Sequence, residues 1–254
     1  MTSRSLLIVL AAATGLPVSA ADQEFYELRV YKNENAEKQS VVLEYVDSAL
    51  IPALNRQGSK TIGVFTPLPK NDKPANGDVY VLIPFSSLTA LSALNDTLAR
   101  DETYLSASKS FMSTPLKEPN YQRIDSRLMK AFSGMPVLEL PSKESADRIL
   151  ELRIYESHNA AKARLKVEMF NEGEIDIMRD VKLAPVFYGE TLISNDVPNL
   201  TYMLSGDNID VHRQHFKDFV KHPEWDRMKV MERYKGTVSK ITSVMLEPAE
   251  CSQI

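Results

Sequence analysis

The chain is poor in the residues on which most recognisable chemistry is built. It has one cysteine in 254 residues, Cys251. That rules out an internal disulfide and any cysteine-pair metal or redox centre, and leaves only an intermolecular bridge. No run of its nine glycines forms a phosphate-cradling loop, and Gly-x-Ser-x-Gly and His-Glu-x-x-His patterns are missing. Basic residues are scattered and the formal charge is −4, so nucleic acid is not an expected partner. Beyond Ala20 no segment is long and apolar enough to span a bilayer.

The first residues read as a targeting segment. Arg4 gives a basic start, Leu6 to Ala13 is a short apolar run, and Val18 and Ala20 are small residues at cleavage spacing. A signal peptide over residues 1–20 is therefore expected, and with it a periplasmic or extracellular location. The alternative is an uncleaved anchor.

What the chain does have is a repeat. Tyr26-Glu27-Leu28-Arg29-Val30-Tyr31 and Leu150-Glu151-Leu152-Arg153-Ile154-Tyr155 are nearly one strand written twice. Each opens a run of helix, strand, strand, helix and strand, as judged by apolar periodicity. In the first run a helix is expected over residues 36–56, disturbed by Pro52, and Ser86-Ser87 caps another. In the second, Asn159 caps a helix and Pro223 opens one at a tolerated first-turn position. The expected domains are 21–133 and 148–248, joined by a linker over 134–147 and followed by a tail at 249–254. A βαββαβ unit is ferredoxin-like, with helices on one sheet face and nothing on the other. Two such halves cover each other sheet to sheet. The fold class is α+β, a pseudo-twofold barrel of the dimeric α+β type.

The repeated strand, with Phe216, Phe219, His222-Pro223-Glu224-Trp225 and the stretch Pro198 to Leu204, resembles the NIPSNAP family. The first half departs from it, having Asp101-Glu102-Thr103-Tyr104 where the second has His222 to Trp225. The resemblance implies the same barrel and leaves activity poorly defined. Related barrels include monooxygenases and haem-binding enzymes. It also suggests that the second half carries any site.

Alternation puts Tyr26, Leu28 and Val30 on one face and Glu27, Arg29 and Tyr31 on the other, with Glu151, Arg153 and Tyr155 as the copy. The expectation is that the apolar set faces the helices and the polar set faces the barrel interior. There the carboxylates and guanidiniums either pair across strands or serve a ligand. In the second case Arg29 or Arg153 grips a planar anion and Tyr31 or Tyr155 donates a proton. The helix start at His222 and the lone Trp225 offer an anion site with an aromatic wall, or simply a capped, packed helix. His212 and His215, near Asp210 and Asp218, sit at ligand spacing but read as a solvated helix face. No metal and no cofactor is expected, haem being the alternative. The readings carried forward are a small-molecule binding protein, an enzyme on the same scaffold, and a structural module that leaves a homo-oligomer open.

Overall fold

The computed structural model describes residues 23–69, 75–143 and 145–254. The expected signal peptide, residues 1–20, lies outside the described residues, as does the middle of the polar turn before the third strand. The first half runs β1 (Phe25–Lys32), α1 (Ala36–Tyr45), a π turn (Val46–Leu50), α2 (Ile51–Arg56), β2 (Gly63–Pro67), β3 (Val79–Phe85), α3 (Leu88–Leu98), α4 (Glu102–Ala107), α5 (Lys109–Met112) and β4 (Arg123–Ala131). The second repeats the order as β5 (Ile149–Glu156), α6 (Ala160–Met169), a π turn (Phe170–Glu174), α7 (Ile175–Asp180), β6 (Ala184–Ile193), β7 (Asn199–Gly206), α8 (Ile209–Val220), α9 (Pro223–Lys229) and β8 (Lys240–Pro248).

Side-chain caps set the helix starts. Asn35 and Asn159 each accept from the amide three residues on, and Ser87 and Asn208 do the same for α3 and α8. Pro52 does not break its helix. It falls in the first turn of α2, and the wider π turn just before it carries the chain past the missing amide. The second half has a π turn at the equivalent place without a proline, so Pro52 does not account for both.

The eight strands among the described residues form one closed antiparallel barrel in the order β1-β3-β2-β8-β5-β7-β6-β4. Within each half the order is fourth, first, third, second; β2 with β8 and β4 with β6 join the halves. The β4–β6 seam is close: a Cβ on Gly189 would lie 2.8 Å from that of Met129. Tyr26, Leu28, Leu150 and Leu152 point inward, with Phe65, Leu82, Met129, Val186, Phe187 and Met203, into an apolar lumen. Two further cores lie outside the barrel, between each sheet half and its helices.

This corrects the facing of the repeated strand. Tyr26, Leu28 and Val30 pack in the lumen, while Tyr31 and Tyr155 belong to the cores under the helices. Glu27, Arg29, Glu151 and Arg153 share that outer face. The reason is geometric: the lumen is walled by sheet on every side, so a charge there has only other strands to pair with. Under the helices, groups from two layers reach it.

The segment after β8 is not a loose tail. Its amides and side chains bond to Ile62 and Val64, Cys251 packs partly buried on the first-half core, and Ile254 is fully buried in the lumen. Ile254→Ala should therefore cost about 2–5 kcal/mol, the usual range for a deleted core aliphatic. Urea unfolding followed by circular dichroism checks this; a change below about 0.5 kcal/mol would mean that the segment does not seal the barrel.

Candidate functional site

The halves can be compared residue by residue. Tyr31 to Tyr155 and Val46 to Phe170 are both steps of 124. On that alignment Val42 and Leu50, both fully buried, correspond to Lys166 and Glu174. Strand pairing extends the match: Arg29 faces Val81 and Arg153 faces Tyr202, while Val64 pairs with Val81 and Tyr188 with Tyr202. The sheet–helix interface filled by four aliphatic residues in the first half thus holds Lys166, Glu174, Tyr188 and Tyr202 in the second.

These groups are bonded to one another. Lys166 Nζ lies 2.5 Å from Glu174 Oε2, and both side chains are nearly inaccessible. Glu174 reaches this position because the π turn ends on it. The Lys166 ammonium also sits 4.8 Å from the Phe170 ring, 5.5 Å from Trp225 and 5.6 Å from Tyr155, a cation–π cage. Tyr202 Oη donates to Tyr155 Oη at 2.8 Å. Burial raises the pKa of Tyr155 and Tyr202, against the Arg153 charge. Burial also raises that of Glu174, and Lys166 only partly offsets it.

Glu151 is the hub of the neighbouring network. Its Oε1 accepts from Arg153 Nη1 at 2.6 Å and from Ser243 at 2.5 Å, and its Oε2 lies 2.9 Å from His212 Nε2. Burial pushes its pKa up, but the His212 bond, the Arg153 charge and Ser243 together hold it below the ordinary value. The pairing expected across strands is in fact within one strand. In the first half Arg29 Nε bonds Glu27 at 2.8 Å. In the second, Glu151 takes the terminal nitrogen instead, and Arg153 Nε is a buried donor with no partner. The Arg153 guanidinium lies 4.8 Å from the Phe216 ring and 5.5 Å from that of Tyr155.

His212 is therefore buried and hydrogen-bonded to Glu151, not part of a solvated face; its helix presents it to β5 alongside Phe216. His222 caps α9, its Nδ1 accepting from Glu224 N at 3.3 Å. Trp225 packs 4.8 Å from Phe219 and closes the cage. The structure thus brings Glu151, Arg153, Tyr155 and Trp225 together, leaves His222 at the helix end, and puts Arg29 and Tyr31 in the other half's interface. Sequence reasoning missed Lys166, Glu174, Tyr188 and Tyr202. The available signal was the pair of polar residues standing opposite Val42 and Leu50 in the repeat.

Residues 150–253 match the NIPSNAP family model. The match lies within the second half. Several solved structures are similar to all or part of the chain. A candidate monooxygenase from Lactobacillus acidophilus aligns over 89% of this chain and 94% of its own, at 9% identity and a TM-score of 0.55. One from Fusobacterium nucleatum aligns over 89% and 93%, at 8% and 0.56. A NIPSNAP-like domain protein from Burkholderia xenovorans aligns over 41% of this chain and 87% of its own, at 20% and 0.37. At these identities the first two establish the barrel and nothing of its chemistry. No match was found among curated proteins.

The residues of the second half do not fit a haem. An axial ligand needs a histidine nitrogen aimed at open space beside the sheet. His212 Nε2 is held by Glu151, His222 caps a helix and His158 is on the surface. His215 is half-buried on α8, but the interface below is filled by Tyr155, Phe170, Tyr188 and Tyr202. Among the described residues no cluster of three or more His, Cys, Asp or Glu is arranged to hold a metal ion. No helix among them is long and apolar enough to cross a membrane.

Two predictions follow from the buried charges. Lys166→Met alone leaves Glu174 buried without its partner and should destabilise by about 3–5 kcal/mol, whereas the double change Lys166→Val with Glu174→Leu, which installs the first half's residues, should be neutral or stabilising. Equilibrium urea unfolding of the single and double variants tests this; equal destabilisation by both would contradict it. A carboxyl whose pKa is lowered by folding stabilises when ionised. The Glu151 contribution is thus full above its unfolded value of about 4.3 and is lost as pH falls through the folded one. The stability gap between the protein and Glu151→Gln should be widest near neutrality and vanish in acid.

Proposed function

We propose that this is an exported protein of two tandem ferredoxin-like halves that binds a small, planar, anionic molecule at the rim of the second half's sheet–helix interface, where the Arg153 side chain is 17% exposed. The observation that carries this reading is Arg153. Its Nε–H is buried and unpartnered, although the same atom of Arg29 is satisfied by Glu27. An orphaned donor on a charged group costs stability unless something binds it, and a guanidinium edge is matched to a carboxylate or enolate oxygen. Tyr155 and Phe216 flank the guanidinium as aromatic walls for a flat ligand. The polar interface supports the same reading. A buried ion pair is seldom more stabilising than the aliphatic pair it replaces, and the first half demonstrates that an aliphatic pair fits this fold.

A second reading, an enzyme that moves a proton to or from the bound molecule, rests on Glu174. It is a carboxyl held toward its neutral form beside Lys166 and the Tyr155–Tyr202 pair.

Native mass spectrometry and absorbance of protein purified from its own host test the proposal. A bound molecule in the wild type that is absent from Arg153→Ala, with the far-ultraviolet dichroism unchanged, is the expected result. A ligand retained by Arg153→Ala would rule out this site, and Arg153→Ala that unfolds without ever having lost a ligand would make the residue structural. Arg153→Lys separates the cases further, keeping charge and fold but losing the planar fork.

A further inference from the structure

The barrel lumen opens at one end, on the opposite face of β5 from the site above. The opening is a cavity of about 200 Å³ with Leu28 and Leu152 at its floor and Val30, Ile154, Val244 and Tyr80 as walls. Val30, Ile154 and Val244 remain partly exposed although they point into the barrel, so apolar surface is left wet in a concave site.

The two sides of this mouth are not copies. Arg127 pairs with Leu28 and Asp125 with Val30 on β4; the corresponding places on β8, beside Leu152 and Ile154, are Val244 and Thr242. One wall is charged and the other is not. Arg127 is held by Asn199 Oδ1 at 2.8 Å and Asp196 Oδ2 at 2.7 Å, in a side chain only 12% exposed. Asp125 is paired with Arg123 at 2.7 Å, and Lys32 with Asp78. Among the described residues, Lys32, Arg123 and Arg127 at the rim each have an acidic partner, and these pairs offer donors and acceptors without net charge.

We infer that the barrel mouth is a second binding site, for a small neutral amphipath with a hydroxyl head, such as a medium-chain alcohol or an alkylphenol. Its apolar body lies against Val30, Ile154 and Val244. Its hydroxyl accepts from Arg127, whose guanidinium has hydrogens beyond the two in use, and donates to Asp125. Size agrees: an apolar cavity of about 150 Å³ accepts benzene, whereas drug-sized molecules and large cofactors need about 300 Å³ or more. A carboxylate head is disfavoured, because it would meet Asp125 with no uncompensated cation to balance it.

The test uses methyl-labelled full chain and octan-1-ol as the probe, with octanoate as the charged comparison, followed by nuclear magnetic resonance. Octan-1-ol should shift the Val30, Ile154 and Val244 methyl signals saturably and bind at least about tenfold more tightly than octanoate. Val244→Trp, which fills the mouth from the uncharged wall, should abolish binding, and Val30→Phe, from the opposite wall, should weaken it about tenfold or more. Three results would overturn the inference: no shift of these methyls at saturating octanol, octanoate binding as well as octanol, or full binding by a folded Val244→Trp protein.

Discussion

Closure of the lumen is the constraint on which the rest depends. Each half contributes four strands whose inward side chains are almost all apolar, and neither half can leave that face in water. Joining β2 to β8 and β4 to β6 removes every free edge as well as the exposed face. Once the lumen is apolar and sheet-walled, the alternation of each strand sends the Glu-Arg-Tyr sets outward, beneath the helices. The location of the chemistry is thus a consequence of how the core is sealed.

Sealing is shared equally by the halves, but what lies under the helices is not. The first half closes its outer core with Val42, Leu50, Val64 and Val81, with Glu27 bonded to Arg29 and Ser126, and Tyr45 to Tyr104, beside them. The second half puts a lysine, a glutamate and two tyrosines in those four places. Such groups are tolerated because each finds a partner: Lys166 with Glu174, Tyr155 with Tyr202, and Tyr188 Oη with the Met178 sulfur. Among the described residues, Arg153 Nε and the δ nitrogens of His212 and His215 are left over there. The first half has the same order of strands and leading helices with aliphatic residues in those four places, so that order does not require polar ones.

The repeat made the architecture readable. The strand pair at 26–31 and 150–155 fixed the period, and Asn159, Ser87 and Pro223 marked helix starts where the structure has them. The inward and outward faces were not readable, because both faces of these strands are largely buried. Alternation then separates two sets without saying which one the helices cover. Lys166 and Glu174 were missed for a related reason. A charged residue on a helix is read as its solvated side, and nothing local reveals that α6 and the following π turn roll both residues inward. His212 was misjudged in the same way, since its partner Glu151 is remote in sequence and meets it only across the sheet–helix layer.

Strand β5 connects the two proposed sites. Glu151, Arg153 and Tyr155 leave one side of it toward the helices, while Leu152 and Ile154 leave the other toward the mouth of the barrel. The strand is central, paired with both β7 and β8 along its whole length, so it cannot slide by a residue without reversing every side chain. Coupling between the sites, if both are filled, would therefore run through small changes in twist and packing and not through register. β8 has the same double role: Ser243 bonds Glu151 on the outer face while Thr242 and Val244 line the mouth. Any coupling between the two sides would run through β5 and β8, which limits it to the scale of a few packed side chains.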